Sequence, residues 1–240
     1  MKATDFEFRN RFWMIGAIFG IAFFSYSVDH VATVQAIADQ LAGHDPAKAD
    51  SFARMLLGIG SLFVGCAALI RTWATAYLRS DVVHDSELHS EALVADGPYR
   101  HVRNPLYLGN ILIAIGMGLL APRSGFVILV AGMTIFVLRL IGREEAQLEQ
   151  EQGERFREFA GRVPRLWPSL VPRVPAGGLR PRWGQAFTGE IFFWAFFAAI
   201  LIFTITLNDL LFWILIVAGL ASRIILGFVQ SRGGKSTQAS

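Results

Sequence analysis

Residues 105–145 read PLYLGNILIAIGMGLLAPRSGFVILVAGMTIFVLRLIGREE, and this stretch decides the fold. Two apolar runs, Leu106 to Ala121 and Phe126 to Ile141, flank Pro122-Arg123-Ser124-Gly125. Proline and glycine there favour a tight reversal, so the two runs pair as an antiparallel helical hairpin. Each run approaches the roughly 17 to 25 residues that cross a bilayer as helix. The outer ends of the hairpin are polar: Gly97-Pro98-Tyr99-Arg100-His101-Val102-Arg103-Asn104 leads in, and Arg143-Glu144-Glu145 leads out. A hairpin returns both to one side of the membrane. A segment that is polar, turn-forming and aromatic at once costs stability unless it binds something, so the question of function starts at these two ends.

The remainder of the chain has the same character. Of 240 residues, 53% are hydrophobic and only 17% charged, with a mean hydropathy of +0.45; an ordinary soluble domain carries about 25% charged residues. Further apolar runs occupy Phe12 to Val28, Met55 to Ile70, Ile191 to Leu207 and Leu210 to Val229. The expectation is an all-α polytopic membrane protein, one integral domain over 1–240 with about six transmembrane helices, four of them near the short end of the spanning range. Two hydrophilic interruptions, Arg71 to Asn104 and Arg143 to Ala186, would form a cytosolic cap.

Positive charge sets the expected orientation. Lys2, Arg9 and Arg11 precede the first run, Arg71, Arg79, Arg100 and Arg103 lie in the first interruption, and eight arginines stand between Arg143 and Arg182. The alternate loops hold Lys48 with Arg54, then Arg123 alone, then none at Asn208-Asp209. By the positive-inside rule both termini and both interruptions are cytoplasmic, at the inner membrane if the source is bacterial. The net charge of +3 is therefore topological, and arginines spread beside spans do not make a nucleic-acid face. The first apolar run leads into Ser27-Val28-Asp29-His30 instead of a small-residue cleavage site, so it reads as a mature span.

The single Cys66 excludes a disulfide framework or cysteine metal site within one chain. His84, Asp85, Glu87, His89 and Glu91 match no standard metal spacing and read as a solvated loop, so no metal is expected. In the second interruption, Leu148, Gln152, Phe156 and Phe159 share one helical face with charges elsewhere, an amphipathic helix that must end by Val163 because Pro164 cannot continue it. Arg139 falls at the end of the fourth run, where a guanidinium snorkels or pairs.

Gly97-Pro98-Tyr99-Arg100, Arg103-Asn104-Pro105-Leu106-Tyr107-Leu108-Gly109, Arg143-Glu144-Glu145 with Leu148, and Gly153 followed by Phe156, Phe159 and Arg162-Val163-Pro164 resemble the isoprenylcysteine carboxyl methyltransferase and phospholipid methyltransferase superfamily. The resemblance covers about 70–168; the C-terminal pair of runs in 187–230 lies outside it. It implies an integral membrane methyltransferase that uses S-adenosyl-L-methionine without a Rossmann domain, and no G-x-G-x-x-G turn is present. The resemblance carries cofactor contacts onto His84, Glu91, Ala92, Leu93, Val94, Tyr99, Asn104, Pro105, Leu106, Tyr107 and Glu144. Arg139 or Arg143 would hold the acceptor, and Glu145 is the candidate base if that acceptor is an amine. The implied acceptor is a membrane lipid or a lipidated, isoprenylcysteine-like molecule.

Two departures stand out. Asn104 occupies the place of a histidine in many family members and cannot titrate. The family's substrate arginine aligns with Leu140, between Arg139 and Arg143. Two other functions share parts of this pattern: a sterol-reductase-like enzyme binding NADPH, and a noncatalytic membrane interaction protein. Oligomeric state is left open.

Overall fold

The computed structural model describes residues 1–43, 45–78 and 95–236, with side chains to residue 222. Its described elements are helical: α1 (Asp5–Arg9), α2 (Arg11–Phe24), α3 (Thr33–Ala42), α4 (Pro46–Tyr77), α5 (Pro105–Gly118), α6 (Arg123–Gln152), α7 (Glu154–Arg162), α8 (Trp183–Gly189), α9 (Ile191–Thr206) and α10 (Asp209–Ser236). Two 3₁₀ turns, Ser25–Ser27 and Gly97–Arg100, join them.

Local chemistry explains the boundaries. Asp45 caps α4 by accepting from the backbone N–H groups of Ala47 and Lys48, with Pro46 in the first turn where its missing donor costs nothing. Pro105 opens α5 in the same way. The chain reverses between α5 and α6, but at Leu119 to Pro122: Arg123, Ser124 and Gly125, expected in the turn, form the first turn of α6, because proline just before a helix start is preorganised for it. α6 then runs without a break from its apolar part into the polar stretch beyond Gly142, so the amphipathic helix of the second interruption begins as a continuation of the span. It breaks at Gly153, whose φ of 55° favours glycine, and resumes as α7. Beyond that break Phe156, Phe159 and Val163 are buried together against Leu148, the expected apolar face. α7 ends at Arg162, before Pro164.

The core sits where α4, α5, α6 and α9 meet. Val64, Ala67, Ile113, Ala114, Leu129, Met133, Val137, Ile141 and Ile200 are sealed there. α4 and α5 approach closely enough that a Cβ added at Gly116 would meet the Gly60 carbonyl oxygen at 2.5 Å, the small-residue packing common between membrane helices.

α4 and α6 are long and apolar enough to cross a membrane, and α8 with α9 would make a third span as a pair bent by 61°. α2, α5 and the described part of α10 are apolar but shorter. At 1.5 Å per residue, the 14 residues of α5 reach about 21 Å against a hydrocarbon core of about 30 Å. Fewer full-length spans are therefore present among the described residues than six apolar runs led one to expect.

The two interruptions lie side by side. Residues 164–182 run extended along residues 96–103: Arg103 N–H donates to the Pro164 carbonyl (2.8 Å), Ser169 N–H to His101 (2.9 Å) and Arg173 N–H to Arg100 (2.8 Å). Asp96, only 3% exposed, accepts from the N–H groups of Gly177 (2.8 Å) and Leu179 (2.9 Å). Arg182 N–H closes the strap on the Ala76 carbonyl at the end of α4 (2.8 Å). Four prolines from Pro164 to Pro175 keep this segment out of helix and leave its donors free for that pairing.

Candidate functional site

The hairpin carries Tyr107 on the first turn of α5 and Glu144 past the apolar part of α6. The Tyr107 hydroxyl donates to Glu144 Oε1 at 2.5 Å. Glu144 keeps some exposed surface as a residue, yet its carboxylate is surrounded by protein. Burial pushes its pKa up to about 6, with Glu145 adding to the rise, while the Tyr107 hydrogen bond and the charge of Arg11 pull the other way. Among the described residues no cation forms an ion pair with Glu144. Tyr99, from the 3₁₀ turn, faces the same place: burial raises its phenol well above the usual range, and Glu144 raises it further. Three of the expected site residues, Tyr99, Tyr107 and Glu144, thus form one polar cluster at the open, polar end of the hairpin.

Asn104 and Glu145 form a second group beside it. Asn104 Nδ2 donates to Glu145 Oε1 and to the Arg165 carbonyl, both at 3.1 Å. Glu145 also receives Arg165 Nε at 3.0 Å and lies 3.6 Å from Arg103 Nε. A carboxylate so surrounded by cations and an amide is a tie between the two interruptions. With Lys2, Gly142, Glu149, Phe156 and Arg157 it lines a cleft of about 400 Å³.

The two candidate acceptor arginines stand one helical turn apart and both face α1. Arg139 Nη2 donates to Glu7 Oε2 at 2.7 Å. Arg143 pairs with Asp5 and lies 4.8 Å over the Phe8 ring. Nε of each is buried without a hydrogen-bond partner among the described residues. The hydrogen bond from Arg139 holds the Glu7 carboxyl down at about 2. Leu140, the position aligned with the family's substrate arginine, is wholly buried among Phe8, Phe136 and Ala3. His84, Glu91, Ala92, Leu93 and Val94 lie outside the described residues.

Sequence reasoning missed a further cluster. Arg71, near the end of α4, donates from Nε and Nη2 to both carboxylate oxygens of Glu190 (2.7 and 3.2 Å), and from Nη1 to Asn110 Oδ1 (2.8 Å) and the Leu106 carbonyl (3.1 Å). Thr75 adds a hydroxyl to Glu190 at 2.8 Å. The guanidinium lies 4.0 Å over the Phe193 ring. Leu106, expected as a cofactor contact, therefore offers its backbone oxygen to Arg71, while Pro105 is buried as the first residue of α5. The only hint in the sequence is a lone carboxylate, Glu190, opening one apolar run and a lone arginine, Arg71, closing another.

Residues 54–155, which hold most of α4, the first interruption and all of α5 and α6, match the sequence model of the phospholipid methyltransferase family. That match bears out, for this segment, the resemblance to the integral membrane methyltransferase superfamily. Among curated proteins the chain is similar to the cobalt-zinc-cadmium resistance protein CzcN of Cupriavidus metallidurans, 28% identical over 134 residues, or 56% of this chain and 59% of that protein. It is also similar to the nickel-cobalt-cadmium resistance protein NccN of Alcaligenes xylosoxydans xylosoxydans, 27% identical over 130 residues, 54% of this chain and 58% of that one. The chain thus spans less than two thirds of the length of these relatives. No solved structure matches it.

Proposed function

We propose that this chain is a membrane-embedded methyltransferase that takes its methyl group from S-adenosyl-L-methionine and passes it to a lipid or lipidated acceptor. The observation that carries the reading is the Tyr99, Tyr107 and Glu144 cluster. It lies inside the family-matched segment and is built from the two ends of one helical hairpin. The donor set suits the methyl donor: a buried carboxylate with no paired cation among the described residues gains from a sulfonium or ammonium group, and phenol oxygens can meet its hydroxyls. In this reading the chain crosses the membrane six times, the shorter apolar helices spanning by tilt or local thinning, and the site and both termini face the cytoplasm.

When bound, the donor supplies a methyl group on positively charged sulfur, transferred by in-line displacement. The protein's share is alignment and charge. Tyr107 and Tyr99 orient and exclude water, Glu144 balances the cation, and the Asn104–Glu145–Arg165 tie holds the two interruptions closed beside them. Arg139 and Arg143 are placed to hold an acidic headgroup, provided α1 yields its carboxylates. A carboxylate acceptor needs no base; an amine would require one, and Glu145 or Glu144 would serve. The names of the relatives refer to metal resistance, and among the described residues no group of three metal-ligating side chains occurs.

The test is incubation of the purified protein with methyl-labelled donor and a total membrane-lipid extract, followed by identification of the labelled species. A labelled lipid formed by the wild type and lost in Glu144→Gln supports the reading. No labelled product from lipids, lipidated peptides or prenylcysteine analogues, with intact folded protein, would refute it.

A further inference from the structure

The Arg71–Glu190 pair joins two parts of the molecule with different standing. Arg71 lies in the family-matched segment, whereas Glu190 opens α9 in the C-terminal pair of helices outside it. Both side chains are nearly sealed, 14% and 6% exposed, and their geometry is bidentate. α5 is shaped around the arginine: a Cβ at Gly109 would lie 2.8 Å from Arg71 Cδ, so glycine there lets the stem pass. From Arg71 the contacts lead straight to the candidate site. Its Nη1 binds the Leu106 carbonyl, one residue before Tyr107, whose hydroxyl meets Glu144. Both charges also act on the Tyr99 phenol, with opposite signs, so their fields reach the cluster.

A buried ion pair is weak grounds for stability, because desolvation offsets most of the attraction. Its placement here has a different consequence. The methyl donor carries a sulfonium charge that its demethylated product, S-adenosylhomocysteine, lacks. The two differ at the reacting centre by one charge and one methyl group, so a pocket's net charge decides how well it distinguishes them.

Resting on the methyl-donor reading above, we propose that Arg71 and Glu190 are positioning residues that set the charge of the pocket, and that the C-terminal helices thereby fix its preference for cationic donor over neutral product. Glu190 cancels Arg71; without it, an uncompensated guanidinium beside the cluster repels the sulfonium.

Calorimetric titration of the full-length protein in nanodiscs, with S-adenosylmethionine and separately with S-adenosylhomocysteine, tests this. Glu190→Gln is expected to weaken donor binding about tenfold more than product binding. Arg71→Met, which leaves the carboxylate unbalanced, shifts the ratio the other way. The double variant Arg71→Met/Glu190→Met removes both charges while keeping bulk, and returns the donor-to-product ratio to within about twofold of wild type. If Glu190→Gln does not fold, the shift toward donor in Arg71→Met and its reversal to the wild-type ratio in the double variant carry the test. Equal weakening of both ligands in every folded variant marks the pair as purely structural and overturns the proposal. A wild type that binds neither ligand refutes the methyl-donor reading itself, and the proposal with it, before any variant is compared.

Discussion

If Glu144 balances a cationic donor, binding must depend on pH in a direction the structure fixes. Burial lifts the Glu144 carboxyl from 4.5 to about 6. Ionising it in place therefore costs roughly 2 kcal/mol more than in water, since a tenfold change in an ionisation constant is worth about 1.4 kcal/mol. A bound sulfonium can return most of that by favouring the ionised form, so donor affinity is highest above the raised pKa and falls as protons take the carboxylate. With the bound-state pKa restored to its ordinary value, affinity at pH 5 is about tenfold below that at pH 7.5. The loss levels off near thirtyfold at lower pH, the same energy read as a ratio of constants. The assay is titration of nanodisc-embedded protein with S-adenosylmethionine from pH 5 to 7.5, alongside Glu144→Gln. The variant is expected to bind weakly with a flat profile. The same linkage makes the unliganded protein lose stability as pH rises through the interval between 4.5 and 6, since the ionised carboxylate is the form that burial penalises. A wild-type donor affinity that is constant across this range, or that rises on acidification, refutes the assignment of Glu144 as the charge partner.

Other consequences are independent of that one. Gly109→Ala places a methyl against the stem of Arg71, and the melting temperature should fall by an amount equivalent to about 1–3 kcal/mol; an unchanged melting temperature contradicts the packing described. Asp96→Ala leaves the N–H groups of Gly177 and Leu179 without their carboxylate and should cost about 1–3 kcal/mol. It should also open the 164–182 strap to limited proteolysis at its arginines, and wild-type resistance would show that the strap is held elsewhere. Because Glu7 is held at about 2 by Arg139, the attachment of α1 is complete above pH 4.5 and is lost as pH falls through the interval from 4.5 to 2. Hydrogen exchange in residues 1–10 should speed up over that interval, whereas Glu7→Gln should exchange fast already at neutral pH.

The parts of this fold that were legible in the sequence are those with a local cause. Apolar runs of helical length, Pro122, Pro105 and Pro164 each act within a few residues, and the helices they mark are found, with the hairpin's reversal a few residues earlier than the expected 122–125. Gly153 was harder: it sits in a polar, amphipathic stretch whose periodicity survives the break, so only its positive φ reveals that two helices share one apolar face. The pairings that assemble the site are separated by long stretches of chain. Tyr107 and Glu144 were reachable because a single hairpin joins them. Arg139 finds Glu7 132 residues away and Arg71 finds Glu190 119 residues away, and neither partnership leaves any periodic trace. Arg139 was recognised as a charge in need of a partner; the partner came from a five-residue helix at the N-terminus.

The central claim is that the methyl donor binds between the two ends of the hairpin. Ultraviolet cross-linking of radiolabelled S-adenosylmethionine to the purified protein, followed by peptide mapping, addresses it directly. The account predicts saturable labelling confined to peptides containing Tyr99 to Tyr107 or Arg143 to Glu145, abolished by excess S-adenosylhomocysteine and untouched by NADPH. Labelling that maps only to α9 or α10, or that NADPH displaces, would contradict it.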